Sequence, residues 1–243
     1  MGTVWKWRLS VLFAIACTAP AMASAGNAPA LAPPGDKDLA GTHCAIGEEK
    51  FLPGDYYYCI ASQSYGQHDY ANAKRFFTTA ASWASKPAQY VLGVMALNGD
   101  QQPKNRPLAL AWLSLAAERP NSSFKADYQA AYDSATAADR QAAEDLLTKM
   151  KPVYADATAA PRAEQRYAQG MAMLARLDSG ASTYCMAGIA MQADSAAAAS
   201  QSCPPIQVVV AGIDRTAAAL FDGWAGHVVV GPLQQADGTN GMK

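Results

Sequence analysis

Histidine is almost missing from this chain of 243 residues; His43, His68 and His227 are all it has. His43 stands beside Cys44, where a metal or thiol site would come to mind, but a disulfide at Cys44 removes both roles. His68 falls in a polar turn and His227 opens an apolar run. The chain also lacks an HExxH zinc motif, a GxSxG nucleophile elbow, a phosphate-binding glycine loop and any CxxC pair. Glu48 and Glu49 are adjacent acids, which a solvated turn explains. No basic block exists and the net charge is −1, so a nucleic-acid footprint is not expected. No apolar run is long enough to span a bilayer. These absences leave no expected catalytic residue, metal ligand or cofactor.

What is present begins with an export signature. MGTVWKWR carries Lys6 and Arg8 without an acid, LSVLFAIAC is a short apolar core, and Ala23 and Ala25 fit a small-x-small cleavage site. This is the three-part layout of a secretory signal peptide, read as residues 1–25, with a periplasmic or secreted product. Lipid attachment at Cys17 is the rival reading, weakened by Ala14 where such a site wants leucine. The cysteines beyond the signal are Cys44, Cys59, Cys185 and Cys203. Four cysteines allow three pairings. The local one, Cys44–Cys59 with Cys185–Cys203, asks least of the chain, and each loop closed this way is worth about 3 kcal/mol in the chain-entropy model.

After a proline-rich flexible leader, residues 26–42, the pattern turns helical. Helices are expected over residues 54–66, with Asp55 as cap and Gly66 as terminator, and over 70–85. Two more are expected from Pro87 to Gly99 and from Leu108 to Arg119. Small–aromatic–small–small is written twice. Ala73, Phe76, Ala80 and Ala81 recur as Ala109, Trp112, Ala116 and Ala117 at an offset of 36. Tyr57 and Gly66 recur as Tyr90 and Gly99 at an offset of 33. A helix pair repeated at this length cannot bury its apolar face alone, so neighbouring pairs must stack.

AQYVLGVMALNG followed by ALAWLSLAAE resembles the Sel-one-like repeat, a relative of the tetratricopeptide repeat. Ala88, Leu92, Gly93, Gly99, Ala109, Trp112, Ala116 and Ala117 match it. Ala96 stands where the family has an aromatic, and Ile60 replaces the packing glycine in the weaker copy at 57–81. The resemblance covers residues 54–120. It implies a mostly α fold: an α-solenoid of about three helix pairs with Phe76 and Trp112 as plugs between them. The third pair would lie at 124–134 and 137–151, with a capping helix at 161–177. Tyr90, Leu92 and Gly93 then belong to the repeat core. Cys59 aligns with Leu92, so it points inward and a bridge to Cys44 pins residues 44–53 as an end cap.

The repeat domain is thus read as 43–177, followed by a disulfide-bonded appendage at 178–232 and a tail at 233–243. IQVVVAGI (206–213) and HVVVG (227–231) read as strands, giving a small two-stranded αβ appendage with RTAAALF as a short helix between them. The triple tyrosine 56–58 is the leading binding candidate. Side chains about 100° apart on a helix cannot all be core, so with Tyr57 packed, Tyr56 or Tyr58 is exposed for contact. The resemblance points to non-catalytic protein–protein interaction by an adaptor or envelope regulator with an unknown protein partner. An inhibitor or immunity protein against a toxin or hydrolase, and an envelope-acting enzyme, are the competing classes.

Overall fold

Prolines and side-chain caps place the helices. The computed structural model describes residues 34–186 and 203–224, which are mostly helical. In chain order the helices are α1 (Asp36–Ala40), α2 (Pro53–Gly66), α3 (Tyr70–Ser82), α4 (Lys86–Asn98) and α5 (Arg106–Ala116). They continue as α6 (Lys125–Asp133), α7 (Ala137–Tyr154), α8 (Asp156–Leu177) and α9 (Ile206–Phe221). Pro53, Pro87 and Pro107 sit in the first turns of α2, α4 and α5, where a missing N–H costs nothing. The Asp69 carboxylate accepts from Asn72 N at the start of α3, and Asn105 accepts from Leu108 N at the start of α5. Thr136 and Asp139 form a capping box on α7.

Two expected terminal roles are different in the structure. Asp55 is not the cap of α2, because the helix already begins at Pro53 and places Asp55 in its first turn. Gly66 is the last residue of α2 and has no left-handed backbone. Its value is space: a Cβ there would collide with Ala40 N and Asp36 O of α1, which lies across it. Gly99 does take the left-handed turn, at φ 73°. The two glycines at matching offset therefore do different jobs.

Helices adjacent in sequence pack on one another, α2 on α3 and α4 on α5, and α7 lies against α5. Ala73, Ala80, Ala81, Ala109, Ala116 and Ala117 are all buried. At Gly93 a Cβ would fall 2.7 Å from Leu113 Cγ, so the small residue lets α5 close on α4. Leu92 is buried beside Met95 in the cluster that joins α2, α3, α4, α5 and α7. Trp112 is 7% exposed and meets the Tyr154 ring edge-on at 4.7 Å, bridging α5 to α7. Trp112→Ala is expected to lower the unfolding free energy by about 3–5 kcal/mol, read by chemical denaturation; a loss under about 1 kcal/mol would remove it from the core. Phe76 is only half-buried, stacked on Tyr57 at 6.1 Å with the Arg75 guanidinium over its ring. Its neighbour Phe77 is the deeply buried ring. Tyr90 is half-buried and stacks on Phe124 at 4.5 Å.

The C-terminal expectation needs correction. Residues 206–213 are not a strand; they open the helix α9, which also absorbs RTAAALF. The segment 227–231 lies outside the described residues. Among those residues the one β feature is an isolated bridge between Thr183 and Pro205. The physical reason is in the burial: Ile206, Val209, Ile213, Ala217 and Phe221 are the buried apolar positions. They recur every three or four residues and make one helical stripe. Tertiary packing of that stripe outweighs the β-preference of the valine run. The stripe shares a core with Ala163 and Leu174 of α8 and with Phe51 and Leu52.

Both disulfides are local. Cys44 is bonded to Cys59, and Cys185 to Cys203. The first ties the segment before α2, including the short 3-10 turn Glu48–Lys50, onto α2. Cys59 itself is half-buried. Glu48 overturns the expectation of a solvated turn: it is 2% exposed. Two disulfides suit an oxidising, extracellular-type compartment. No helix among the described residues is long and apolar enough to cross a membrane.

Candidate functional site

A groove with two compartments flanks α4. Its first compartment, about 290 Å³, lies between α2 and α4 and is walled by Tyr58, Ser62 and Tyr65 on one side and Tyr90, Val91, Val94 and Met95 on the other. Pro34 and Leu39 close one rim, Phe77 lies below, and Asp100 brings a carboxylate. Tyr58, Ser62 and Tyr65 are four and three residues apart, so the turn of α2 aims all three at the groove. A second compartment of about 350 Å³ lies between α4 and α6, walled by Tyr90, Val94, Leu97, Leu113, Asp127 and Ala131. Tyr90 and Val94 line both compartments and make them neighbours.

Each compartment holds one carboxylate and one tyrosine hydroxyl bonded to it. Tyr65 Oη donates to Asp100 Oδ2 at 2.5 Å, and Tyr90 Oη donates to Asp127 Oδ2 at 2.8 Å. The bond to Asp100, then burial and the Asp100 charge, push the Tyr65 phenol up to about 12. Tyr90 is raised in the same way by Asp127. Burial raises Tyr58. The hydroxyls therefore stay protonated as donors at neutral pH, and the carboxylates act as acceptors. At the far end Arg106 Nη1 donates to the Ser134 carbonyl.

Of the two tyrosines singled out from the sequence, Tyr58 lines the groove and Tyr56 is not among its lining residues. Tyr56 is half-buried and packs edge-on against Tyr57 at 5.5 Å, and burial, then the charges of Glu49 and Glu48, raise its phenol. Sequence reasoning missed Tyr65, Asp100 and Asp127. The first had a signal, the spacing 58–62–65 on one helix face. The two acids had none, since each reads as an ordinary polar residue.

A second polar concentration is buried and structural. Asp156, at the first turn of α8, takes Arg119 Nε at 2.7 Å and Nη2 at 3.2 Å and Lys86 Nζ at 2.9 Å. Lys86 also pairs with Glu118 and donates to the Leu115 carbonyl at 3.0 Å. Glu118 Oε1 accepts from Asp156 N at 2.7 Å. Arg119 Nη1 reaches the Leu220 carbonyl at 2.5 Å and that of Asp222 at 3.1 Å, at the end of α9. Two cations meet two anions here, and the network ties α4, α5, α8 and α9 together. Among the described residues no group of three or more His, Cys, Asp or Glu is arranged to hold a metal ion.

Comparison of the chain with protein-family models, with curated proteins and with solved structures finds no match.

Proposed function

We propose that this is an exported, non-catalytic binding protein whose groove along α2, α4 and α6 holds part of a partner protein. In this reading residues 1–25 are a cleaved signal peptide. The helix pairs are Sel-one-like repeats stacked as a short α-solenoid, and the partner lies in the periplasm or envelope. One observation supports the reading: two cavities, lined by tyrosines and aliphatic side chains, flank α4 and share Tyr90 and Val94. Tyrosine-rich concave surfaces are where interface energy concentrates. Two disulfides agree with an exported product.

The test is capture from the exported fraction with wild type and with Val94→Trp, which fills the wall shared by both compartments. Partner recovery is expected to fall at least about tenfold in the variant, a binding loss of about 1.4 kcal/mol or more, with thermal midpoint unchanged. Equal recovery by both proteins would sink the proposal.

A further inference from the structure

We propose that the segment held in this groove is basic, with two lysine or arginine side chains between apolar residues, one cation directed to Asp100 and the other to Asp127. This deepens the binding reading given above and rests on it.

Size comes first. Small-molecule sites span roughly 300–1,000 Å³, and the two compartments are about 290 and 350 Å³. Both volumes sit at the foot of that range, and each gives room for one anchoring side chain. Tyr90 and Val94 are common to both walls, so one continuous segment can reach both.

Charge decides the chemistry. Asp100 is the one charged residue lining the first compartment, and Asp127 the one lining the second; no lysine, arginine or histidine lines either. Of the cations close by in sequence, Arg106 donates to the Ser134 carbonyl and Lys125 to the Pro120 carbonyl, and Lys104 packs beside Gly99 without lining either compartment. An acidic segment would bring like charge against two carboxylates, Asp100 half-buried and Asp127 exposed, beside apolar walls. A neutral one would strip water from them without replacing it. Either is disfavoured, and discrimination of this kind is how charged clefts select partners. A cation restores the lost solvation.

The tyrosines complete the match. Tyr65 and Tyr90 each hold one oxygen of their carboxylate, which fixes its position. The rings of Tyr58, Tyr65 and Tyr90 lie in the walls beside the acids. Ammonium and guanidinium groups are attracted to such rings, most strongly where water is excluded. The aliphatic stems of lysine and arginine would cover Val94 and Met95.

Fluorescence anisotropy with labelled peptides tests this. The probes are seven-residue peptides of the type ALKALKA, with one to four residues between the lysines, and matched sets carrying glutamine or glutamate instead. The basic set is expected to bind, its best member at least about tenfold tighter than its glutamine twin, and more weakly as salt rises. Asp100→Asn with Asp127→Asn keeps shape and the tyrosine bonds, and is expected to erase the preference. Equal or tighter binding of the glutamine or glutamate sets overturns the inference. If Val94→Trp abolishes that binding, the groove itself remains a binding site. Failure of every peptide also overturns the basic-segment inference, while the capture experiment with Val94→Trp judges the groove separately. Concentration-dependent dimers lost in Val94→Trp would make the occupant a second copy and overturn it too.

Discussion

Asp156→Ala is expected to lower the unfolding free energy by about 3–5 kcal/mol, because it leaves two buried cations without their shared anion. Asp156 holds Arg119 through two hydrogen bonds and Lys86 through one ion pair, and all three are less than a tenth exposed. Glu118, more open to solvent, remains to pair with Lys86. Arg119 loses its only carboxylate among the described residues and keeps only the carbonyls of Leu220 and Asp222. Domains unfold with roughly 5–15 kcal/mol in total, so this single change removes a large share. Its signature is local as well as global. Amide exchange over 206–221 is expected to accelerate more than exchange in α2 and α3, since Arg119, together with Asn121, holds the end of α9. A loss under about 1 kcal/mol, or uniform acceleration, would mean that the network does not lock α9 to the pairs.

Glu48→Gln is expected to remove a decline in stability that Glu48 gives the wild type between about pH 5 and 8. Glu48 is buried and its Oε1 has no hydrogen-bond partner among the described residues. Burial, with the charges of Asp55 and Glu49 adding to it, pushes its carboxyl up to about 8 from 4.5. The folded value lies above the unfolded one, so the folded chain binds the extra proton. The stabilisation is complete below about 4.5 and is lost as pH rises through about 8. At about 1.36 kcal/mol per unit the loss is on the order of 5 kcal/mol. Glutamine imitates the protonated acid and has no proton to lose. The check is the difference between wild-type and variant stability across that range, which cancels every other titrating group. Parallel curves would contradict a buried, protonated Glu48.

Where local pattern and tertiary packing agree, the chain was readable. Ala73, Ala80, Ala81 and their counterparts at 109, 116 and 117 are small because helices close on them. The failures are long-range. Glu48 reads as a surface acid until the Cys44–Cys59 bridge and Phe51 carry its segment into the core. Lys86, Glu118, Arg119 and Asp156 are scattered over seventy residues and form a network only when four helices converge. The run VVV in α9 concealed a helical stripe whose partners, Leu174 and Phe51, are distant in sequence. For the groove, Tyr58 was accessible from the angle between consecutive helical residues. Asp100 and Asp127 were not, because their meaning depends on which tyrosine hydroxyl reaches them.

These devices divide the molecule by role. The α8–α9 side, with its disulfide and buried charges, is built for persistence, and the α2–α4–α6 face carries the open apolar and acidic surface. The most direct test of that division is photo-cross-linking in the cell, with a benzophenone amino acid at Val94 in the groove and, separately, at the exposed Lys149 on α7. The account predicts a discrete protein adduct from position 94 and none from position 149. An adduct from 149 alone, or none from 94, would contradict it.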